Sequence, residues 1–192
     1  GKIHDGDAVL YILATQPAAK PQGVVGTLMT NLALQKALQA HGIEFVRAKV
    51  GDRYVLAQLR NHGWSLGGES SGHILSLQHS KTGDALLTAV LLLSVLSSNN
   101  ASLAQALEGY SPCPQVMLNV KLSSAPRSTV DLSDANISKA IRDVEERLGA
   151  SGRVLVRASG TEPVVRVMVE AEDGDLAATM AKRIADVLAQ AV

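Results

Sequence analysis

Gly23-Val24-Val25-Gly26-Thr27-Leu28 runs through Met29-Thr30-Asn31 into Leu32-Ala33-Leu34-Gln35-Lys36-Ala37-Leu38-Gln39-Ala40-His41-Gly42. Small and β-branched residues predict a strand over 23–28. Thr30 or Asn31 then caps a helix whose apolar positions Leu32, Leu34, Ala37 and Leu38 keep a helical period as far as His41-Gly42. A second strand and helix follow. Residues 43–50 alternate Phe45, Val46, Ala48 and Val50 with polar partners, and Gly51-Asp52 turns the chain into a helix over 54–61. Gly63 ends that helix and a strand over 64–66 begins. A polar loop over 67–73 interrupts it before Ile74, Leu75 and Leu77 resume an extended stretch. Thr82-Gly83-Asp84 caps an apolar helix over 85–96, and Ser102 caps a short one ending at Leu107. Strands alternating with helices predict an α/β domain with a largely parallel mixed sheet. Ahead of it, Gly1-Lys2-Ile3-His4-Asp5-Gly6-Asp7 is turn chemistry and residues 8–14 are apolar with helical spacing, an opening that reads as cut from something longer.

Gly109-Tyr110-Ser111-Pro112-Cys113-Pro114-Gln115 carries two prolines and no periodicity, the pattern of a linker. The expected division is a domain over 1–110, a linker over 111–115 and a second domain over 116–192. The second domain is predicted as a strand over 116–122, a helix over 134–148 with Ile137, Ile141, Val144 and Leu148 on one face, strands over 153–157 and 164–170, and a last helix over 175–192. That order, βαββα, gives a small α+β domain with an antiparallel sheet and two helices.

Composition removes several classes of function. Across 192 residues, 18 Lys+Arg balance 18 Asp+Glu, so no net field attracts a nucleic acid or an anionic membrane. Apolar residues at 46% and charged ones at 19% can build a globular core, which must be aliphatic because aromatics are only 3%. The one cysteine, Cys113, cannot form an internal disulfide, and with no signal-peptide pattern the expected compartment is the reducing cytoplasm. The longest apolar run, 85–96, is interrupted by Thr88 and Ser94 and falls short of the roughly 20 residues of a membrane helix. A buried helix is expected there.

Three stretches could carry chemistry. In Arg157-Ala158-Ser159-Gly160-Thr161-Glu162-Pro163, with Arg166 beyond, a loop between two strands offers backbone N–H groups, two hydroxyls and an arginine on either side. A phosphate dianion needs such donors; the alternative is a tight hairpin with incidental polar residues. Gly68-Glu69-Ser70-Ser71-Gly72-His73 sets a carboxylate, hydroxyls and an imidazole on a loop that glycines let a ligand approach, a set suited to vicinal sugar hydroxyls or simply to a polar hairpin. Lys49-Val50-Gly51-Asp52-Arg53-Tyr54 lies at the carboxyl end of a parallel strand, where ligands of open α/β sheets collect, although Asp52 could equally be the N-cap of the next helix. Asp5 and Asp7 are too few for Mg²⁺ and read as a helix-capping turn. His4, His41, His62 and His79 have no metal-ligand spacing.

Taken together, Val50-Gly51-Asp52-Arg53-Tyr54-Val55, Gly68-Glu69-Ser70-Ser71-Gly72-His73, Thr82-Gly83-Asp84 and Arg157-Ala158-Ser159-Gly160-Thr161-Glu162-Pro163 resemble, in order and spacing, the bacterial phosphoglucosamine mutases of the α-D-phosphohexomutase superfamily. Val24-Val25-Gly26-Thr27-Leu28-Met29-Thr30-Asn31 is also similar, and the likeness runs from Gly1 to Val192. It implies an isomerase that interconverts glucosamine 6-phosphate and glucosamine 1-phosphate through a phosphoserine and glucosamine 1,6-bisphosphate, ahead of UDP-N-acetylglucosamine and peptidoglycan. It further implies four domains around a cleft, with this chain holding the third and fourth. By the same resemblance Glu69, Ser71 and His73 bind the sugar and Asp52 and Arg53 line the cleft. Arg157, Ser159, Gly160, Thr161 and Arg166 hold the phosphate that is not being transferred. The family's phosphoserine loop and its Mg²⁺ loop belong to the first and second domains. No catalytic residue and no metal site is therefore expected in this chain. Its implied partners are the N-terminal domains of the same enzyme, with a homodimer at full length. A stand-alone sugar-phosphate binding protein or a non-catalytic interaction module is the alternative.

Overall fold

The computed structural model of the chain describes residues 1–16, 20–121, 131–159 and 162–191. It divides into two units, Gly1–Pro112 and Cys113–Val192. The first contains α1 (Gly6–Thr15), β1 (Gly23–Thr27), α2 (Leu32–Ala40), β2 (Glu44–Ala48), α3 (Asp52–His62), β3 (Leu66–Gly68), β4 (Ile74–Ser76), α4 (Ala85–Ser98) and α5 (Leu103–Ala106). Its sheet has the order β2-β1-β3-β4. β1 is parallel to β2 and β3, and β4 returns antiparallel to β3. This is the α/β domain with a largely parallel mixed sheet that the alternating pattern predicts. Adjacent strand residues point to opposite faces. Val24 accordingly joins a core with Leu10, Leu34 and Leu38, while Val25 joins another with Val55, Leu59 and Trp64 of the α3 side.

Two expectations need correction. Trp64 does not start β3. Gly63 ends α3 in the left-handed region at φ 68°, its N–H donates to Arg60 O, and the Trp64 N–H donates to Leu59 O at 2.9 Å. This reversal uses Trp64 to close the helix and pack on Leu59, so pairing is delayed to Leu66–Gly68. The second correction concerns α4. It forms over the apolar run, but Val95 is its only buried residue among those described. Leu86, Val90 and Leu93 are 81%, 63% and 63% exposed. A helix that is apolar all round presents more apolar surface than the neighbours on one side can cover.

The second unit contains β5 (Gln115–Lys121), α6 (Ala135–Leu148), a 3-10 turn at Gly149–Ser151, β6 (Gly152–Ala158), β7 (Val164–Ala171) and α7 (Gly174–Ala191). Its antiparallel sheet has the order β5-β7-β6, as the βαββα pattern predicts; Leu122, the last residue of the strand expected over 116–122, lies outside the described residues. Val165, Val167, Val169 and Ala171 form one core with Ile137, Val144, Leu148, Ile184 and Leu188 of the two helices. The alternate residues of β7 therefore face the other way, and there the fully buried Glu170 receives Arg153 from the neighbouring strand at 2.6 Å. Among the described residues no helix is long and apolar enough to cross a membrane.

Tyr11 of α1 closes the first unit on itself. It is buried, its O–H donates to Glu108 O at 2.7 Å, and its ring stacks on Tyr110 at 5.1 Å. Burial raises its pKa above 10.0, so the neutral, donating form is favoured on folding. Tyr11→Phe is expected to lower stability by about 0.5–1.5 kcal/mol. Urea unfolding followed by Trp64 fluorescence measures it. The raised pKa means that this contribution is present below the unfolded-state value and fades as pH climbs past the folded one.

Candidate functional site

The loop after β3 is held from three sides. Within it the Glu69 N–H donates to His73 O and the Gly72 N–H donates to Glu69 O at 2.9 Å, a reversal that puts Gly72 at φ 98°. From α1, the Gly6 N–H donates to Ser70 O at 2.9 Å. The approach is so close that a Cβ on Gly6 would lie 2.1 Å from Glu69 O. From the turn after β2, the Gly51 N–H donates to Glu69 Oε2 at 3.0 Å. Gly51 takes φ 121° to make that bond, a conformation other residues rarely adopt. Glu69 is 9% exposed, and the other oxygen of its carboxylate carries no hydrogen bond among the described residues. Ser71 Oγ and His73 Nδ1 lie 3.2 Å apart on the exposed side of the loop.

Asp52 and Arg53 stand in the first turn of α3, directly after Gly51 in sequence, and their bonds are not to this loop. Gly51, not Asp52, is the N-cap. The Asp52 carboxylate accepts the N–H of Arg53 at 2.6 Å. Arg53 lies 4.5 Å over the Tyr54 ring and donates to its hydroxyl at 2.7 Å. Residue types alone single out the two charged side chains; what reaches Glu69 is the backbone of the glycine before them. The positive φ that aims this N–H leaves no mark in the sequence beyond the glycine itself.

Asp5 and Asp7 both serve the fold. Asp5 caps α1 by accepting the Ala8 N–H at 3.2 Å. Asp7, 1% exposed, accepts the Asn31 N–H at 2.7 Å and so ties α1 to the start of α2. One oxygen of each carboxylate thus accepts a backbone N–H of a helix start. Among the described residues no group of three or more His, Cys, Asp or Glu could hold a metal ion.

In the second unit Arg157 on β6 stands directly opposite Arg166 on β7, and Arg166 directly opposite Asn119 on β5. Side chains paired across a ladder share a face, so these three form a row beside the loop that joins β6 to β7. Ser159 is buried in that loop, its Oγ accepting the Glu162 N–H at 3.2 Å. Gly160 and Thr161, the other two residues of the expected phosphate nest, lie outside the described residues. Arg166 donates to Glu162 Oε2 at 2.7 Å, while its buried Nε has no hydrogen-bond partner among the described residues. Asn119 is missing from the expected set. Alternation along 115–121 separates it from the core-facing Leu118 and Val120, but only the register, which no local pattern specifies, sets it beside Arg166.

Comparison with known proteins bears on both units. Residues 5–113 match the family model described as phosphoglucomutase/phosphomannomutase, alpha/beta/alpha domain III, and residues 117–187 match the one described as phosphoglucomutase/phosphomannomutase, C-terminal domain. A phosphoglucosamine mutase of Burkholderia pseudomallei is 50% identical over 194 residues, covering 100% of this chain and 42% of that protein. Phosphoglucosamine mutase 2 of Shewanella baltica is 48% identical over 189 residues, covering 97% and 42%. The chain thus spans about two fifths of the length of the curated relatives it matches. Among solved structures, the fold is that of Aspergillus fumigatus N-acetylphosphoglucosamine mutase (TM-score 0.79, 23% identity, 97% of this chain and 43% of that one). It is also that of a phosphoglucomutase/phosphomannomutase family protein of Burkholderia thailandensis (TM-score 0.72, 21% identity, 100% and 43%). With whole-chain identity of 50% to a bacterial phosphoglucosamine mutase and consecutive matches to two domain models, this chain belongs to the phosphoglucomutase/phosphomannomutase family and spans its domain III and C-terminal domain.

Proposed function

We propose that this chain is the substrate-binding half of a cytoplasmic phosphoglucosamine mutase that interconverts glucosamine 6-phosphate and glucosamine 1-phosphate. The observation that carries the reading is the row Arg157, Arg166 and Asn119 beside the Ser159 loop. Two guanidinium groups set opposite each other repel, and a phosphate dianion between their donors turns that repulsion into charge-assisted hydrogen bonds. Arg157 and Arg166 take the phosphate that is not being transferred, with Ser159, Gly160 and Thr161 adding donors from the loop. Glu69 accepts sugar hydroxyls through the oxygen that Gly51 leaves available, helped by Ser71 and His73, while Asp52 and Arg53 border the sugar.

Such a half holds and orients substrate. The phosphoserine that gives and takes the phosphoryl group, and the Mg²⁺ that offsets charge on it, belong to the preceding domains of the complete enzyme in this reading. The intermediate, glucosamine 1,6-bisphosphate, has to be held with either end forward. A loop that recognises a phosphate, and separately a loop that recognises hydroxyls, each serve both orientations.

Titration calorimetry with two ligands separates the roles. Arg157→Ala is expected to weaken glucosamine 6-phosphate by about 1.5–3 kcal/mol, one to two powers of ten in affinity, and to weaken inorganic phosphate as well. Glu69→Ala is expected to weaken the sugar phosphate and leave inorganic phosphate almost unchanged. If Arg157→Ala binds glucosamine 6-phosphate as tightly as the parent chain, the phosphate assignment is wrong.

Gly51→Ala places a side chain at φ 121°, a strain of about 1–3 kcal/mol. Relief of that strain turns the N–H away from Glu69. The expected result is weaker glucosamine 6-phosphate binding with inorganic phosphate binding retained and a lower urea midpoint.

In a coupled assay the chain by itself is expected to show no mutase turnover, with or without Mg²⁺. Turnover near the rate of a full-length relative would refute the assignment of this chain to the binding half.

A further inference from the structure

Helix α4 is the one place among the described residues of the first unit where several large apolar side chains stand exposed in line. Its sequence, Ala-Leu-Leu-Thr-Ala-Val-Leu-Leu-Leu-Ser-Val-Leu-Ser-Ser, contains no charged residue. Leu91, Leu92 and Val95 pack on the core around α1. Leu86, Val90 and Leu93, spaced i, i+4, i+7, form a stripe on the other side that is 81%, 63% and 63% exposed. Isolated exposed leucines are ordinary, but a continuous stripe on an uncharged helix marks a surface that something covers.

We propose that this stripe is the face against which the preceding portion of the mutase polypeptide docks, the portion that the relatives carry ahead of the stretch they share with this chain. Three observations favour that occupant over a second copy. The relatives match this chain over only 42% of their length, at 50% identity, and the family models place it at domain III and the C-terminal domain, so more than half of each relative precedes the match. The stripe is also narrow. A stable dimer needs about 800 Å² from each partner, of which three side chains supply a fraction, whereas a covalently joined neighbour docks at high effective concentration and needs far less. Finally, α4 begins at the level of the candidate site. Gly83, just before its Asp84 cap, lies beside the carbonyl of Ile74, and Ile74 pairs with Gly68, the residue before Glu69. A neighbour seated on Leu86 therefore borders the Glu69 loop, where the groups absent from this chain have to arrive. The partner face is apolar and uncharged, because a charge set against this helix would lose its water without a counterion.

This inference rests on family membership and exposure, not on sugar-phosphate binding, so either can fail alone. Hydroxyl-radical footprinting with mass spectrometry reads side-chain exposure without substitutions. It is applied to this chain alone, to this chain joined behind the preceding portion of the Burkholderia pseudomallei relative, and to that intact relative. Leu86, Val90 and Leu93 are expected to oxidise readily in the chain alone. In the joined protein, and at the aligned positions of the intact relative, they are expected to oxidise at least fivefold more slowly. Oxidation in the intact relative at the rate of the isolated chain overturns the proposal, whether or not the joined protein folds. So does protection that appears in the chain alone and grows with its concentration, because a second copy is then the occupant.

Discussion

Gly6 has no room for a side chain, and much of the first unit follows from that contact. A Cβ there would lie 2.1 Å from the Glu69 carbonyl oxygen, so α1 meets the loop after β3 backbone against backbone. Its first turn then fastens three things at once. Asp5 caps the helix, the Gly6 N–H holds Ser70, and Asp7 receives the N-terminal N–H of Asn31 at the start of α2. The carboxyl ends of β1 and β3 are thereby fixed relative to each other by one main-chain bond and one buried bond from main chain to carboxylate. A carboxylate on such a loop keeps its position without a ligand, and pre-positioning of this kind lowers the entropy lost when a ligand binds.

The second unit shows the opposite economy of charge along a single ladder. At one end of β6 and β7, Arg153 faces Glu170 and the buried carboxylate is fully paired. At the other end, beside the loop, Arg157 faces Arg166, and Glu162, itself largely exposed, engages Arg166 from within that loop. The same sheet can therefore neutralise an arginine when only stability is at issue. Leaving two arginines in register is the kind of local conflict that marks a site shaped for something other than stability.

Most of the fold was legible because the signals are local. The alternation of 43–50, the helical period of 32–38 and the caps at Asn31, Asp84 and Ser102 each depend on residues a few positions apart. What escaped depends on partners far along the chain. Trp64 looks like the first residue of a strand until Gly63 closes α3 over it. The run at 85–96 looks buried because apolar composition cannot say whether a neighbour covers every side of the helix. The site divides in the same way. Glu69, Ser71 and His73 fall on one loop, and Arg157, Ser159 and Arg166 bracket another, as residue type and spacing suggest. Asn119 enters through strand register and the Gly51 N–H through a backbone angle, neither of which is written in side-chain chemistry.

The two loops, each within its own unit, differ in the sign of the charge they present. A buried carboxylate with one oxygen unbonded, such as that of Glu69, repels a phosphate dianion and accepts from hydroxyls. A pair of arginines does the reverse. Charge sign alone then distinguishes phosphate from sugar, without reference to which carbon bears the phosphate. A loop that discriminates by the sign of its charge tolerates a phosphate at more than one position on a ring, whereas a loop built tightly around the geometry of one isomer rejects the other.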